Sequence, residues 1–119
     1  MADQQTDFEI SFFERLVRDH PNFVDALKPL AEAYTKKGLY EKGLHVDRRL
    51  AQLCPRDAGI HYNLACSYAL LGKKDAALLA LERSVELGYD DLEHLKKDPD
   101  LKSLRNDPRF KSLLSQKTL

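Results

Sequence analysis

Several things are scarce in this sequence, and each scarcity removes a class of protein. Charge of either sign is not in excess: 19 basic residues stand against 19 acidic ones, so no global field draws the chain to nucleic acid or to an anionic membrane. No apolar run approaches the roughly 18 to 20 residues that span a bilayer. The opening stretch MADQQTDFEI is polar and acidic, where a secretory signal is basic and then apolar. A cytoplasmic protein without membrane insertion or nucleic-acid binding is expected. Only two cysteines occur, Cys54 at an expected helix end and Cys66 inside another helix; they make no disulfide framework and suit a reducing compartment.

Catalytic chemistry is equally sparse. His20, His45, His61 and His94 fall one to an element, and no two have the i, i+4 spacing of a helical metal pair. His61 and Cys66 are five apart and share a helix face poorly. There is no glycine-rich phosphate loop, no serine in a nucleophile-elbow setting and no carboxylate pair spaced for acid and base roles. Cys66 reads as a small, partly buried hydrophobe rather than a reactive thiol. The expectation is a protein that is not an enzyme, with no cofactor and no metal.

What is present is a repeat. Leu30, Ala31, Tyr34 and Gly38 recur as Leu64, Ala65, Tyr68 and Gly72, and Pro21 recurs as Pro55, all at an offset of 34 residues. Internal periods of this length imply stacked pairs of helices. Small Ala31 and Ala65 let two helices approach, Leu30 and Leu64 fill the space between them, and Gly38 and Gly72 supply the positive φ that ends a helix tightly. Pro55 cannot extend the helix before it and so separates one repeat from the next. With 43% hydrophobic residues in 119, the chain can build a core, spread as a layer through one domain.

These residues resemble the tetratricopeptide repeat, a pattern of an aromatic, Leu-Ala or Leu-Gly, Tyr, a turn Gly, Ala, a second aromatic, another Ala and Pro. In residues 58–91 the matches are Leu64, Ala65, Tyr68, Gly72 and Ala77, with Leu81 for the second aromatic, Ser84 for the later Ala and Tyr89 where Pro is usual. In residues 24–57 Leu30, Ala31, Tyr34, Gly38, Tyr40 and Pro55 match, while Gly43 replaces Ala and Asp47 the aromatic. The resemblance implies an all-α fold, a right-handed superhelix of antiparallel helix pairs. It would comprise an N-terminal half repeat over 7–20, two repeats over 24–57 and 58–91, and a helical cap over 92–119.

Around that frame the chain reads in order. Thr6 or Asp7 caps a helix carrying Phe8, Phe12 or Phe13, Leu16 and Val17 on one stripe. Asn22 or Phe23 opens the next, in which Pro29 predicts a bend or a late start near Lys28, because it removes a backbone hydrogen bond. In the helix from about Tyr40 to Leu53, Asp47 predicts a locally solvated face, a pairing with a neighbouring cation, or a face covered by a partner or second copy; a homodimer is one assembly this allows. The stretch from Lys73 to Leu87 is apolar almost all round and needs cover from the segment after Gly88. That segment repeats a short phrase, DPDLKSL at Asp98 and DPRFKSL at Asp107, in which Asp caps and Pro takes the first helical position. The phrase resembles endings that follow tetratricopeptide arrays in bacterial proteins. It is assigned as a cap, with residues 116–119 frayed.

The resemblance also implies a function: binding a peptide or helical segment of another protein in a concave groove lined by the first helix of each repeat. Groove positions are Asp25, Lys28, Glu32, Thr35 and Lys36 on one wall, and Gly59, Tyr62, Cys66, Ala69 and Leu70 on the other. The candidate site is Lys28, Glu32, Lys36, Tyr62, Asn63, Cys66 and Leu70, unless the tail or the first helix covers Tyr62 and Leu70. Lys28 and Asn63 match two positions of a carboxylate clamp found in some family members, whereas Glu32 replaces an expected Asn. The second functional class is a small chaperone or assembly subunit that holds one apolar helix of a client, resembling those of bacterial secretion systems.

Overall fold

Where the chain turns is decided by glycine. Gly38, Gly72 and Gly88 have φ of 82°, 75° and 110°, the left-handed region that costs a side chain but not glycine. At Gly38 the turn is tied by Gly38 N–H donating to the Thr35 carbonyl and Leu39 N–H to that of Tyr34. The same pattern closes the helix before Gly72, from Gly72 to Ala69 and from Lys73 to Tyr68.

The computed structural model describes residues 2–117, with side chains over 4–115. Among the described residues it is all-helical, with eight helical segments packed in adjacent pairs and no strand. They are α1 (Ala2–Asp19), α2 (Val24–Lys37), α3 (Tyr40–Leu53), α4 (Ala58–Leu70), α5 (Lys74–Glu86), α6 (Leu92–Lys97), a 3-10 helix (Pro99–Leu104) and α7 (Pro108–Lys117). The chain divides into two compact units, Met1–Pro55 and Arg56–Leu119, and the boundary falls at the proline expected to part the repeats.

In the first unit α1 packs on α2 and α2 on α3. Ala26, Leu27, Leu30, Ala31, Ala33 and Tyr34 bury one side of α2, as the repeat pattern requires. Gly43 lets α3 come close: a methyl group there would sit 3.2 Å from Thr35 Oγ1 and 3.7 Å from the Ala31 carbonyl oxygen. Three expectations need correction here. First, α1 starts well before Thr6, which is buried within it instead of capping it. Second, of the bend or late start expected at Pro29, the late start does not occur, because α2 begins at Val24 and runs through Pro29. The hydrogen bond that Pro29 cannot make would go to the carbonyl of Asp25, an exposed residue near the start of the helix. Third, Asp47 is not on a solvated face, being 4% exposed, and it is not without a partner.

In the second unit α4 is the central element. Ile60, Tyr62, Leu64, Ala65, Cys66, Ser67 and Ala69 are all buried, so it is covered on more than one side. α5 packs along one flank, pinned at its end by Ser84 Oγ donating to the Ala58 carbonyl at 2.7 Å. The tail packs chiefly on α4, through the 3-10 helix, and touches α5 more lightly. This corrects the expectation that the tail exists to cover α5, where Leu79 stays 69% exposed. Each tail element begins as its sequence dictates. The carboxylates of Asp91, Asp98 and Asp107 accept from the backbone N–H of His94, Asp100 and Arg109 at 3.1, 2.9 and 2.9 Å. Leu81, Leu95, Leu101 and Leu104 are completely enclosed, each contributing about 1.5–3 kcal/mol of burial. Of the terminal segment expected to fray, α7 extends through Lys117, and residues 118 and 119 lie outside the described part.

Candidate functional site

The candidate residues separate into one set that faces solvent and another that the chain uses itself. In the first unit Lys28, Glu32 and Lys36 follow one another at i, i+4 and i+8 on α2, which places them on one stripe. All three are exposed. Among the described residues none makes a side-chain hydrogen bond or ion pair, so the stripe is a plus–minus–plus row open to a ligand. The opposite side of α2 is anchored. Tyr34 O–H donates to Glu14 at 2.5 Å, and Lys37 Nζ lies 2.7 Å from an oxygen of Asp7. Burial, and then the hydrogen bond to the Glu14 carboxylate, pushes the Tyr34 hydroxyl above its ordinary range.

In the second unit Asn63 is exposed and Leu70 half-buried. Tyr62 and Cys66 are only 5% and 7% exposed. They do not present an outward wall, because the tail occupies that face. Tyr62 O–H donates to Asp98 at 2.6 Å, and its ring stacks on Tyr89 with centroids 4.4 Å apart and planes 10° from parallel. His94 tilts against the same ring at 5.6 Å. The Cys66 thiol points at Asp98 from 3.8 Å, and His94 Nε2 is 3.3 Å from the same carboxylate oxygen. Arg105 closes the group by donating to the Asp98 backbone carbonyl at 3.0 Å.

Asp98 is therefore the hub of the unit. It is 7% exposed, with one oxygen capping the 3-10 helix and the other receiving Tyr62. Burial pushes the Tyr62 hydroxyl upward, and the Asp98 hydrogen bond adds to it. Burial, with the Asp98 and Asp100 charges, also pushes up the Cys66 thiol and favours its protonated form. Asp100 is raised by burial and then by Asp98. Donor atoms of Cys66, Asp98 and Asp100 lie within 4.8 Å of one another, close enough by spacing alone for a cation. The hydrogen bonds from Tyr62, Cys66 and the Asp100 backbone already account for the arrangement. Farther along the tail, the side-chain hydrogen bond from Arg109 holds the Asp107 carboxyl down to about 2, and Arg109 also reaches Asp75 at 2.9 Å.

Sequence reasoning took Asp98 for a helix cap alone and assigned no role to Tyr89, His94 or Arg105. One signal was available, the i, i+4 spacing of His94 and Asp98. Nothing in the sequence says that a residue 36 positions after Tyr62 will meet its hydroxyl.

Fold and surfaces together define an all-helical protein of adjacent helix pairs, with a charged stripe left open on one unit and an aromatic face closed by its own tail on the other. No family model matches the chain. A curated relative, a chloroplastic protein of Arabidopsis thaliana, is 36% identical over 86 residues, which is 70% of this chain and 26% of that protein. The chain thus spans about a quarter of the length of the relative it matches. Among the described residues no helix is long and apolar enough to cross a membrane.

Proposed function

We infer that this is a non-catalytic protein-interaction module of the tetratricopeptide kind, which binds a peptide or helical segment of another protein. The helix pairs stacking into a right-handed superhelix belong to this proposal, as does a cytoplasmic setting. The observation that carries it is the open row Lys28, Glu32 and Lys36 on α2, a helix whose other side is committed to Tyr34, Leu30 and Ala31. A helix that turns its apolar side to packing and leaves unpaired charges in register on the other is built to be read by a complementary segment. Within the second unit Asn63 is exposed and Leu70 half-buried on α4, while Tyr62 and Cys66 reach a ligand only where the tail is displaced.

The test is capture of binding proteins on the immobilised chain, followed by titration of the captured protein. Lys28→Glu with Lys36→Glu is expected to weaken binding about tenfold at low salt and much less at high salt, since exposed charges act within a Debye length. Equal affinity of the double variant and the unaltered chain at low salt would overturn the reading.

A second reading, a chaperone or assembly subunit that holds an apolar client helix, is favoured by one observation. Phe8 and Phe12 are 67% and 48% exposed on α1 with their rings stacked, an apolar surface of the kind a client helix would cover. Self-association without a client, measured by sedimentation, separates this reading from an adaptor that is monomeric alone.

A further inference from the structure

α2 and α4 hold the same place in the repeat, and the same row of positions is covered on one and open on the other. At the offset of 34 residues Lys28, Glu32 and Lys36 of α2 correspond to Tyr62, Cys66 and Leu70 of α4. Each helix is followed by a turn glycine and backed by the next helix, α3 behind α2 and α5 behind α4. On α4 the tail segment Asp98–Leu104 lies along the row. The Asp98 carboxylate meets Tyr62 and Cys66, and Ser103 Oγ donates to the Ala69 carbonyl at 3.4 Å. The segment therefore runs parallel to α4, from residue 62 toward residue 69. On α2 the three corresponding side chains are exposed.

The tail also shows how a segment keeps step with such a row. Asp98, Leu101 and Leu104 are buried, while Pro99, Lys102 and Ser103 between them are exposed. A 3-10 helix turns every three residues, so positions three apart share a face, and it rises about 2.0 Å per residue. Six of its residues cover about 12 Å, as do eight residues of α-helix at about 1.5 Å each. Side chains at j, j+3 and j+6 of the one thus stand opposite i, i+4 and i+8 of the other. We propose that the Lys28–Glu32–Lys36 row of α2 is the seat for a short 3-10 segment of another protein, laid parallel to α2, with an acidic, a basic and an acidic side chain at three-residue intervals. The proposal rests on the reading of this row as an interaction surface and adds the form and charge order of its occupant.

The charge order follows from the difference between the two rows. α4 offers a hydroxyl, a thiol and an aliphatic group, and the tail answers with one carboxylate and two leucines. α2 offers an ammonium, a carboxylate and an ammonium, so the same three places call for acid, base and acid. A leucine at the middle place would strip water from Glu32 without pairing it. An aspartate at the first place serves two purposes, as Asp98 does: one oxygen caps the segment and the other faces the row. The tail of a second copy is not the occupant, because Leu101, Leu104, Phe110 and Leu113 are buried within their own unit.

The probe is a synthetic peptide of residues 96–106 carrying Leu101→Lys and Leu104→Glu, titrated to millimolar concentration into the isotope-labelled full chain and followed by amide NMR. Saturable shifts centred on residues 28–36 are expected at low salt. Lys28→Glu with Lys36→Glu is expected to weaken binding at least tenfold, and the unsubstituted peptide to bind at least threefold less tightly. A third peptide, with Leu101→Glu and Leu104→Glu, is expected to bind the Glu32→Lys chain at least threefold better than the unaltered chain, which locates the middle pair. The substituted side chains of the protein are exposed, and circular dichroism checks that each variant is folded. No saturable shift, shifts in α4 and the tail instead of α2, or equal binding of the first peptide to the double variant would each overturn the proposal. A captured protein that the double variant loses, together with a peptide that fails to bind, overturns this occupant alone; a captured protein indifferent to the double variant removes the underlying reading as well.

Discussion

At the scale of single residues, the second unit depends on one buried carboxylate. Asp98 accepts from Tyr62 and caps the 3-10 helix. Asp98→Ala is expected to cost about 2–4 kcal/mol, from one lost cap and one stranded hydroxyl. Tyr62→Phe is expected to cost less, about 1–2 kcal/mol, because it removes a donor and keeps the stacked ring. Chemical denaturation of both variants and of the double variant measures the coupling; additive effects would show that the two residues do not act together. The same group sets a pH dependence. Tyr62 and Cys66 hold their protons above their ordinary values of 10.0 and 9.0. The folded state thus binds protons more tightly than the unfolded one. The resulting stability is complete below about pH 9 and declines as pH rises further. Melting temperatures between about pH 7 and pH 11 should fall through this window, and Cys66→Ala should delay the onset; a flat profile would contradict the burial of these groups.

At the scale of elements, the tail belongs to the core. Leu95, Leu101, Leu104, Phe110 and Leu113 are all buried, and together they represent roughly 7–15 kcal/mol of burial, as much as an entire domain's net stability. Truncation after Asp91 also uncovers Tyr62, Cys66 and Ala69 on α4. The truncated chain is expected to lose its cooperative melt or to associate, seen in a thermal scan and by sedimentation. A monomer with an unchanged melting temperature would mean that the tail is a mobile ligand. Helix limits were largely legible in advance: α3 spans Tyr40–Leu53 and α5 Lys74–Glu86, both set by local signals such as Gly38 and Gly72. The start of α1 was not legible, because Gln4 and Gln5 continue a helix as readily as Thr6 caps one.

At the scale of the whole molecule, two units with separate cores predict separable folding. Residues 56–119 carry Leu81, Leu95, Leu101 and Leu104 entirely within their own unit. Expressed alone, this segment is expected to be helical by circular dichroism and to melt cooperatively; an unfolded fragment would show that it needs the first unit. The amino-acid sequence by itself determined the helical class, the 34-residue period and the turn glycines, along with the aspartate caps of the tail. These are local or periodic signals, written in residues close to one another along the chain. Only the tertiary structure decided that α4, not α5, is the helix enclosed by the tail, and that Tyr62 and Cys66 are taken up by Asp98 while Phe8 and Phe12 remain open. Those outcomes depend on which apolar face meets which, and residues dozens of positions apart compete for the same surface by fit and by hydrogen-bond satisfaction, for which no local pattern exists.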